Sequence, residues 1–321
     1  MKKVFLIGGA GFIGSRLSKL LVDAGYEVVI YDAFVNFIDP FVSDYQDMLR
    51  WRFREHRGQV IMERGDIRYQ RHLARALEKH QPHIVVHFAA TASAKESSLY
   101  PEEAAAINSD GLVNTLEALR ALEHPERFVF TSSSFIYGNF QYAPADENHP
   151  QNPFDIYGAS KLSGELLTKT YCAELGIPYT IIRPTAVYGF GDINQRVSQI
   201  MIENAFHRRP IILHGGGVSK IDFTYVDDTA QGFFLALTKP EGANETFNIA
   251  RGEGRAIREY AEIVKQYFPN VELKYEEADM TRPERGALDI TKARNMLGFA
   301  PKYSLEDGIK KYIEDYKAFC Q

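Results

Sequence analysis

Tyr157 and Lys161 stand four residues apart in the stretch Tyr157-Gly158-Ala159-Ser160-Lys161, a separation that puts both side chains on one helix face. A lysine ammonium beside a phenol favours the phenolate, so a tyrosine with an ordinary pKa of ~10 can serve as a base near neutral pH. Such a pair suits removal of a proton from an alcohol. A hydroxyl-rich run, Thr131-Ser132-Ser133-Ser134, lies upstream, with Ser133 placed 24 residues before Tyr157. A solvated i,i+4 contact has the same spacing, so the meaning of the pair depends on what the rest of the chain supplies.

The amino-terminal end supplies a nucleotide cradle. Residues 3–7, Lys-Val-Phe-Leu-Ile, form an apolar run of the length of a buried parallel strand, and they lead into a turn with Gly8, Gly11 and Gly14. Leu17, Leu20 and Leu21 then recur at helical spacing. Glycine lets the backbone turn tightly and approach a pyrophosphate, which rests on the N–H groups and positive dipole end of the following helix. A second strand, residues 27–31, ends at Asp32, about the separation at which a carboxylate meets the adenosine ribose. Asp32 accepts hydrogen bonds from a ribose diol and repels a 2′-phosphate. The expected cofactor is therefore NAD rather than NADP.

Strand-like runs at 3–7, 27–31, 59–63, 83–88, 127–131 and 178–182 alternate with helix-like segments near 14–24, 70–80, 102–122 and 157–174. Parallel strands need crossover helices, so this alternation predicts an α/β fold built on a doubly wound parallel sheet. Beyond Pro184 the pattern loosens into Gly- and Pro-punctuated pieces, with helices near 193–207, 226–238 and 256–267. We expect residues 1–184 to form the cofactor domain and 185–321 a smaller carboxy-terminal α/β substrate lobe, with some chain crossing back. Between residues 34 and 54, Tyr45, Leu49 and Phe53 alternate with Arg50, Arg52 and Arg54, which reads as an amphipathic helix with a solvated basic face.

Composition sets limits. With 321 residues, 45% of them hydrophobic, the chain can bury a large core. A net charge of −5 gives no general attraction to nucleic acid or to an anionic membrane surface. Cys172 and Cys320 are too few for a disulfide framework, and no apolar stretch approaches the ~20 residues that cross a bilayer. Met1-Lys2-Lys3 runs straight into the first strand instead of a cleavable signal. The expectation is a cytoplasmic protein. The nine histidines show no metal-ligand spacing, and Asp227-Asp228 reads as ordering a loop, so no metal is implied.

Nine short pieces in order, GGAGFIG at 8–14, GDI at 65–67, HFAAT at 87–91, NSDGLVNTLEA at 108–118, TSSSFIYG at 131–138, YGASK at 157–161, RPTAVYG at 183–189, DFTYVDD at 222–228 and KARNMLGFAP at 292–301, carry a resemblance to a known family. The chain resembles the extended short-chain dehydrogenase/reductases, and within them the nucleotide-sugar epimerases and dehydratases. The Asn36-Phe37-Ile38-Asp39-Pro40 loop is similar to one in UDP-glucuronate 4-epimerases. The resemblance implies a Rossmann-type cofactor domain, NAD, a nucleotide-diphosphate-sugar substrate, and a homodimer formed through the helices near 102–122 and 157–174.

It also implies site residues. NAD would be held by Gly8, Gly11, Phe12, Ile13 and Gly14 at the glycine turn, by Asp32 and Asn36 near the adenosine ribose, and by Asp66 and Ile67. Phe88, Ala89, Ala90, Asn108, Thr131, Tyr157, Lys161 and Pro184 would complete the cofactor site. Ser133 matches the family's catalytic hydroxyl, although Ser132 and Ser134 flank it closely enough to be mistaken for it. Tyr157 would take the hydroxyl proton while hydride leaves the same carbon, and Lys161 would hold the nicotinamide ribose. Thr91, Ser134 and Thr185 fall along the substrate.

Departures from the family pattern carry information. Dehydratases have Asp and Glu at the two positions after the catalytic Ser/Thr, and here these are Ser134 and Phe135. A phenylalanine cannot move a proton, so the resemblance points away from dehydration and to a 4-epimerase, with a 4-dehydrogenase or 4-ketoreductase as the alternative and a non-catalytic NAD- or nucleotide-sugar-binding regulator behind both. Ala186 replaces an asparagine and Ile221 a diphosphate-binding arginine. The cations left for a diphosphate are Arg282, before Pro283, together with Arg196 and Lys220, which ordinary surface charge would explain equally well. His87, closing a strand, reads as structural.

Overall fold

A computed structural model of the chain describes residues 1–35, 45–277 and 284–321. Its centre is a seven-stranded parallel sheet made of β1 (Lys3–Ile7), β2 (Glu27–Asp32), β3 (Val60–Arg64), β4 (Ile84–His87), β5 (Arg127–Thr131), β6 (Tyr179–Pro184) and β7 (Glu245–Ile249). The spatial order is β3-β2-β1-β4-β5-β6-β7. From Val4 to Ile7 the β1 run is apolar because both of its faces are covered. Val4 and Leu6 enter one core with Ile30, Val86 and Ile182, while Phe5 and Ile7 enter the other with Val29, Val85 and Ile181. Each such side chain contributes roughly 1.5–3 kcal/mol when fully buried.

Helices cover both faces. On one side lie α1 (Phe12–Asp23) and α2 (Tyr45–Arg52), and on the other α3 (Gln70–His80). The sequence predicts one helix near 102–122, and the structure divides that region. After α4 (Ala94–Leu99), α5 (Pro101–Ala105) runs into a π turn, Ala106–Asp110, and continues as α6 (Gly111–Ala118). Such single-turn bulges cluster at functional positions, and this one carries Asn108. The 20-residue α7 (Ile156–Leu175) follows β5. Asp155 caps its first turn, accepting from Gly158 N at 2.7 Å, and Gly176 ends it in the left-handed conformation.

The remaining elements are α8 (Val197–Phe206), α9 (Val226–Thr238), α10 (Ile257–Tyr267), α11 (Thr291–Leu297) and α12 (Leu305–Phe319), with three pairs of short strands. Tyr188, Phe223, Tyr225 and Tyr260 pack ring against ring at the centre of this smaller lobe. α9 packs against α1, and β7 pairs with β6 along its whole length. Sequence periodicity missed β7, because Glu245-Thr246-Phe247-Asn248-Ile249 is polar at three of five positions. Among the described residues, no helix is long and apolar enough to cross a membrane.

Candidate active site

The carboxyl ends of β1, β2, β4, β5 and β6 open onto a cavity of about 1320 Å³ that extends into the smaller lobe. Ligands bind at this edge in doubly wound sheets, and the volume exceeds the ~300–1,000 Å³ typical of a single small ligand. Gly8 leaves β1 at φ +74°, and a Cβ there would lie 2.5 Å from Ala89 N. Gly14 sits in the first turn of α1, where a Cβ would meet Gly9 O at 2.7 Å. The second contact lets α1 press onto the turn. Phe12, Ile13 and Gly14 line the cavity, and no side chain caps the helix. Its first-turn N–H groups are thus left for an anion.

Asp32 ends β2. Its carboxylate accepts from Ala10 N at 3.0 Å and from Phe34 N at 2.8 Å. Burial raises its pKa, while those two N–H groups and the nearby Arg52 work in the opposite direction. Arg52 departs from the expected solvated face. Arg50 is exposed beside Asp47 and Arg54 stacks on Trp51, but the Arg52 side chain turns inward and is 7% exposed. It donates to Ala10 O at 2.8 Å and to Gly191 O through two nitrogens at 2.6 and 3.1 Å. Three carbonyl contacts replace the water it gives up.

Asp66 and Ile67 reach the same wall, with Asp66 forked to Arg68 at 2.6 Å. Phe88, Ala89, Ala90 and Thr91 follow β4 along the floor. The π turn sets the next contact, because it points Asn108 back so that its Oδ1 accepts from Thr91 N at 2.8 Å. The Thr91 and Thr131 hydroxyls are buried at this floor with no partner among the described residues. Two orphaned donors beside a glycine cradle and a ribose-type carboxylate fit a nicotinamide dinucleotide lying along this edge. Pro184, the last residue of β6, and Thr185 after it close the edge.

Three consecutive serines part company here. The Ser132 hydroxyl turns into the interior, 2.5 Å from Glu165 Oε1, where Glu165 also forks Arg183 at 2.7 and 2.8 Å. Ser134 bonds Thr185 Oγ1 at 2.8 Å. Ser133 Oγ accepts from Phe135 N at 3.2 Å and lines the cavity with Tyr157, whose pKa its hydroxyl pulls down. The Glu165–Arg183 pair also fastens α7 to β6, and so fixes the register that brings Tyr157 to Ser133.

Lys161, one turn after Tyr157, donates to Thr131 O at 2.9 Å, and its Nζ lies 5.8 Å from the Tyr157 ring centre. Burial lowers its pKa to about 7. For Tyr157, burial outweighs the downward pull of Arg196 and the Ser133 hydroxyl, so the net shift is upward. Phe135 packs edge-on to Tyr157 at 5.6 Å, and Arg285 stacks 4.4 Å over Phe135. Behind Lys161, His87 is fully buried, and burial holds it neutral with a pKa of about 3.

Of the remaining expected residues, Arg196 lines the cavity, whereas Lys220 is exposed and does not. Its neighbour Ile221 does. Asn36 and Arg282 lie outside the described residues. Sequence reading took Arg52 for a solvated charge and gave no role to Asp192 or Arg285. Only Arg52 had a signal, its place at the end of a helix whose other arginines face water.

Residues 4–250 match the NAD dependent epimerase/dehydratase family. The chain is 31% identical to the uncharacterized UDP-glucose epimerase YtcB of Bacillus subtilis, over 97% of this chain and 96% of that one. It is 27% identical to the dTDP-D-glucose 4,6-dehydratase of Mus musculus, over 98% and 89%. Among solved structures, the UDP-glucuronic acid 4-epimerase of Bacillus cereus in complex with UDP-glucuronic acid and NAD superposes with a TM-score of 0.88 at 26% identity, covering 98% of this chain and 99% of that chain. With the family match over residues 4–250, on a doubly wound parallel sheet, the chain belongs to the NAD dependent epimerase/dehydratase family.

Proposed function

We propose that the protein is an NAD-dependent nucleotide-diphosphate-sugar 4-epimerase, with a UDP-hexose or UDP-hexuronate as substrate. The observation that carries this reading is the meeting of Ser133, Tyr157 and Lys161 in one cavity that begins at the glycine turn. NAD, when bound, would supply a hydride acceptor for the sugar carbon and the donor that restores it. Tyr157 takes the proton of the 4-hydroxyl as that carbon is oxidised, and gives it back after the 4-keto sugar has turned to present its other face. Ser133 holds the same oxygen and the Tyr157 hydroxyl. Lys161, anchored on Thr131 O, is placed to hold a ribose and to favour the phenolate.

Phe135 supports epimerisation over dehydration. Its ring lies edge-on to Tyr157, at the position where elimination of water needs a group that carries a proton. The test is a panel of nucleotide sugars followed both by chromatographic separation of the 4-epimers and by NADH absorbance. Interconversion without net NADH is expected. Stoichiometric NADH would make the protein a 4-dehydrogenase or ketoreductase, and a 4-keto-6-deoxy product would make it a dehydratase.

A further inference from the structure

The loop from Gly189 to Arg196 joins the short Val187–Tyr188 strand to α8, and Ile193, Asn194, Gln195 and Arg196 carry it into the cavity wall on the side of the smaller lobe. Gly189, Gly191 and Gln195 hold φ of +140°, +107° and +50°, so no regular hydrogen-bond ladder shapes it. Its shape is imposed from the cofactor domain. Arg16 on α1 donates to Phe190 O at 3.2 Å, and Arg52 on α2 donates to Gly191 O at 2.6 and 3.1 Å. The Phe190 ring meets Trp51 edge-on at 5.4 Å. Asp192 follows, with its side chain 1% exposed, and accepts from Asn194 N at 3.1 Å and from Arg196 Nη1 at 3.2 Å. What is fixed at Gly191 is thereby passed to the residues that face the cavity.

Arg52 differs from Arg16 and Trp51 in what it holds on its other side. Its Nη1 donates to Ala10 O at 2.8 Å, within the glycine turn, and Ala10 N donates to Asp32 at 3.0 Å. A bound NAD would engage the turn through its pyrophosphate and Asp32 through its ribose, and both contacts bear on Ala10. A cofactor that fixes Ala10 fixes the guanidinium, which is a planar and rigid fork. That removes freedom the loop would otherwise lose on meeting a second ligand.

We infer that Arg52 is a positioning residue linking the two halves of the site, acting through Ala10 O and Gly191 O so that NAD at the glycine turn orders the 189–196 loop. The link between NAD and the loop goes beyond the epimerase reading. Only the identity of the second ligand, a nucleotide sugar, rests on it.

Hydrogen exchange followed by mass spectrometry, on NAD-stripped and NAD-saturated protein, reads this link directly. In the wild type, NAD should slow exchange of the 189–197 amides by about five-fold or more, the lower end of ordinary coupling between sites. In Arg52→Met the 8–14 amides should still gain protection from NAD, while those at 189–197 should gain none. If Arg52→Met does not fold, Arg52→Lys serves with the same expectation, because an ammonium keeps the charge without the fork that holds two carbonyls. Equal gains at 189–197 in wild type and variant overturn the inference, as does a wild-type loop that gains nothing. A loop that is loosened in the variant yet still gains protection from NAD makes Arg52 a structural strut only, which also overturns it. The measurement needs no substrate, so failure of the sugar panel and failure of this inference are separate results.

Discussion

Asp32 and Arg52 grip the two sides of one residue: the carboxylate accepts from Ala10 N at 3.0 Å, and the guanidinium donates to Ala10 O at 2.8 Å. The glycine turn is thus held between a half-buried carboxylate and a buried guanidinium that attract one another.

This arrangement sharpens the expected effect of Asp32→Ala. Removing the carboxylate takes away the repulsion of a 2′-phosphate and leaves Arg52 as an uncompensated cation at the same wall. The ratio of kcat/KM for NAD over NADP should fall by ~10-fold or more, on the scale of a charge-assisted hydrogen bond. In Asp32→Ala with Arg52→Met the gain toward NADP should shrink. A ratio that does not move in the single variant counts against Asp32 as the selector.

Tyr157→Phe removes one oxygen and keeps the ring against Phe135. Turnover should drop by at least ~10²-fold, the lower end of what a positioned acid–base group contributes, with NAD retained. Near-normal kcat would refute the assignment of the base.

Lys161 predicts a pH dependence of stability. Burial puts its folded pKa at about 7, below the ~10.4 of an unfolded lysine. Between these values the unfolded chain binds more protons, so in nucleotide-free protein stability rises with pH, by up to ~1.4 kcal/mol per unit. The cost is greatest below pH 7. Lys161→Met should be more stable than wild type at pH 7 and should flatten the rise toward pH 10, as read by urea unfolding across pH. A parallel pair of curves would show that Lys161 is already charged and satisfied in the fold.

Ala186 occupies a left-handed conformation at φ +36°, which costs a Cβ-bearing residue roughly 1–2 kcal/mol. Asparagine tolerates that region better. Ala186→Asn should stabilise the protein by ~0.5–1 kcal/mol in urea titration, since the residue lines the cavity and has room for the amide. A loss of stability would mean the new polar group is desolvated without a partner.

The cofactor half was legible because local chemistry dictates it. A glycine turn, an apolar two-sided strand and an i,i+4 Tyr/Lys pair each carry their reason in adjacent residues. Arg52 and β7 were not legible. An arginine pointing into the protein looks like its solvated neighbours until the carbonyls of Ala10 and Gly191, far apart in sequence, are brought to it. β7 earns its place through Asn248, whose Oδ1 accepts from the buried Tyr137 hydroxyl at 2.7 Å, and no period of two marks it. The roles of Ser132, Ser133 and Ser134 likewise depended on Glu165, Tyr157 and Thr185, three partners outside the run.

The pairing of β7 with β6 has a consequence for how the chain is made. As residues 1–184 leave the ribosome, β6 presents a row of unpaired backbone groups beside Ile181 and Ile182, and the strand that covers them arrives some 60 residues later. Until then the nascent sheet has a sticky open edge, the kind of surface that chaperones capture and that misassembles between chains. A truncation near residue 184 would freeze that stage. It should yield an aggregating fragment instead of a free-standing cofactor domain, and closure of the edge should be a late, slow event in folding.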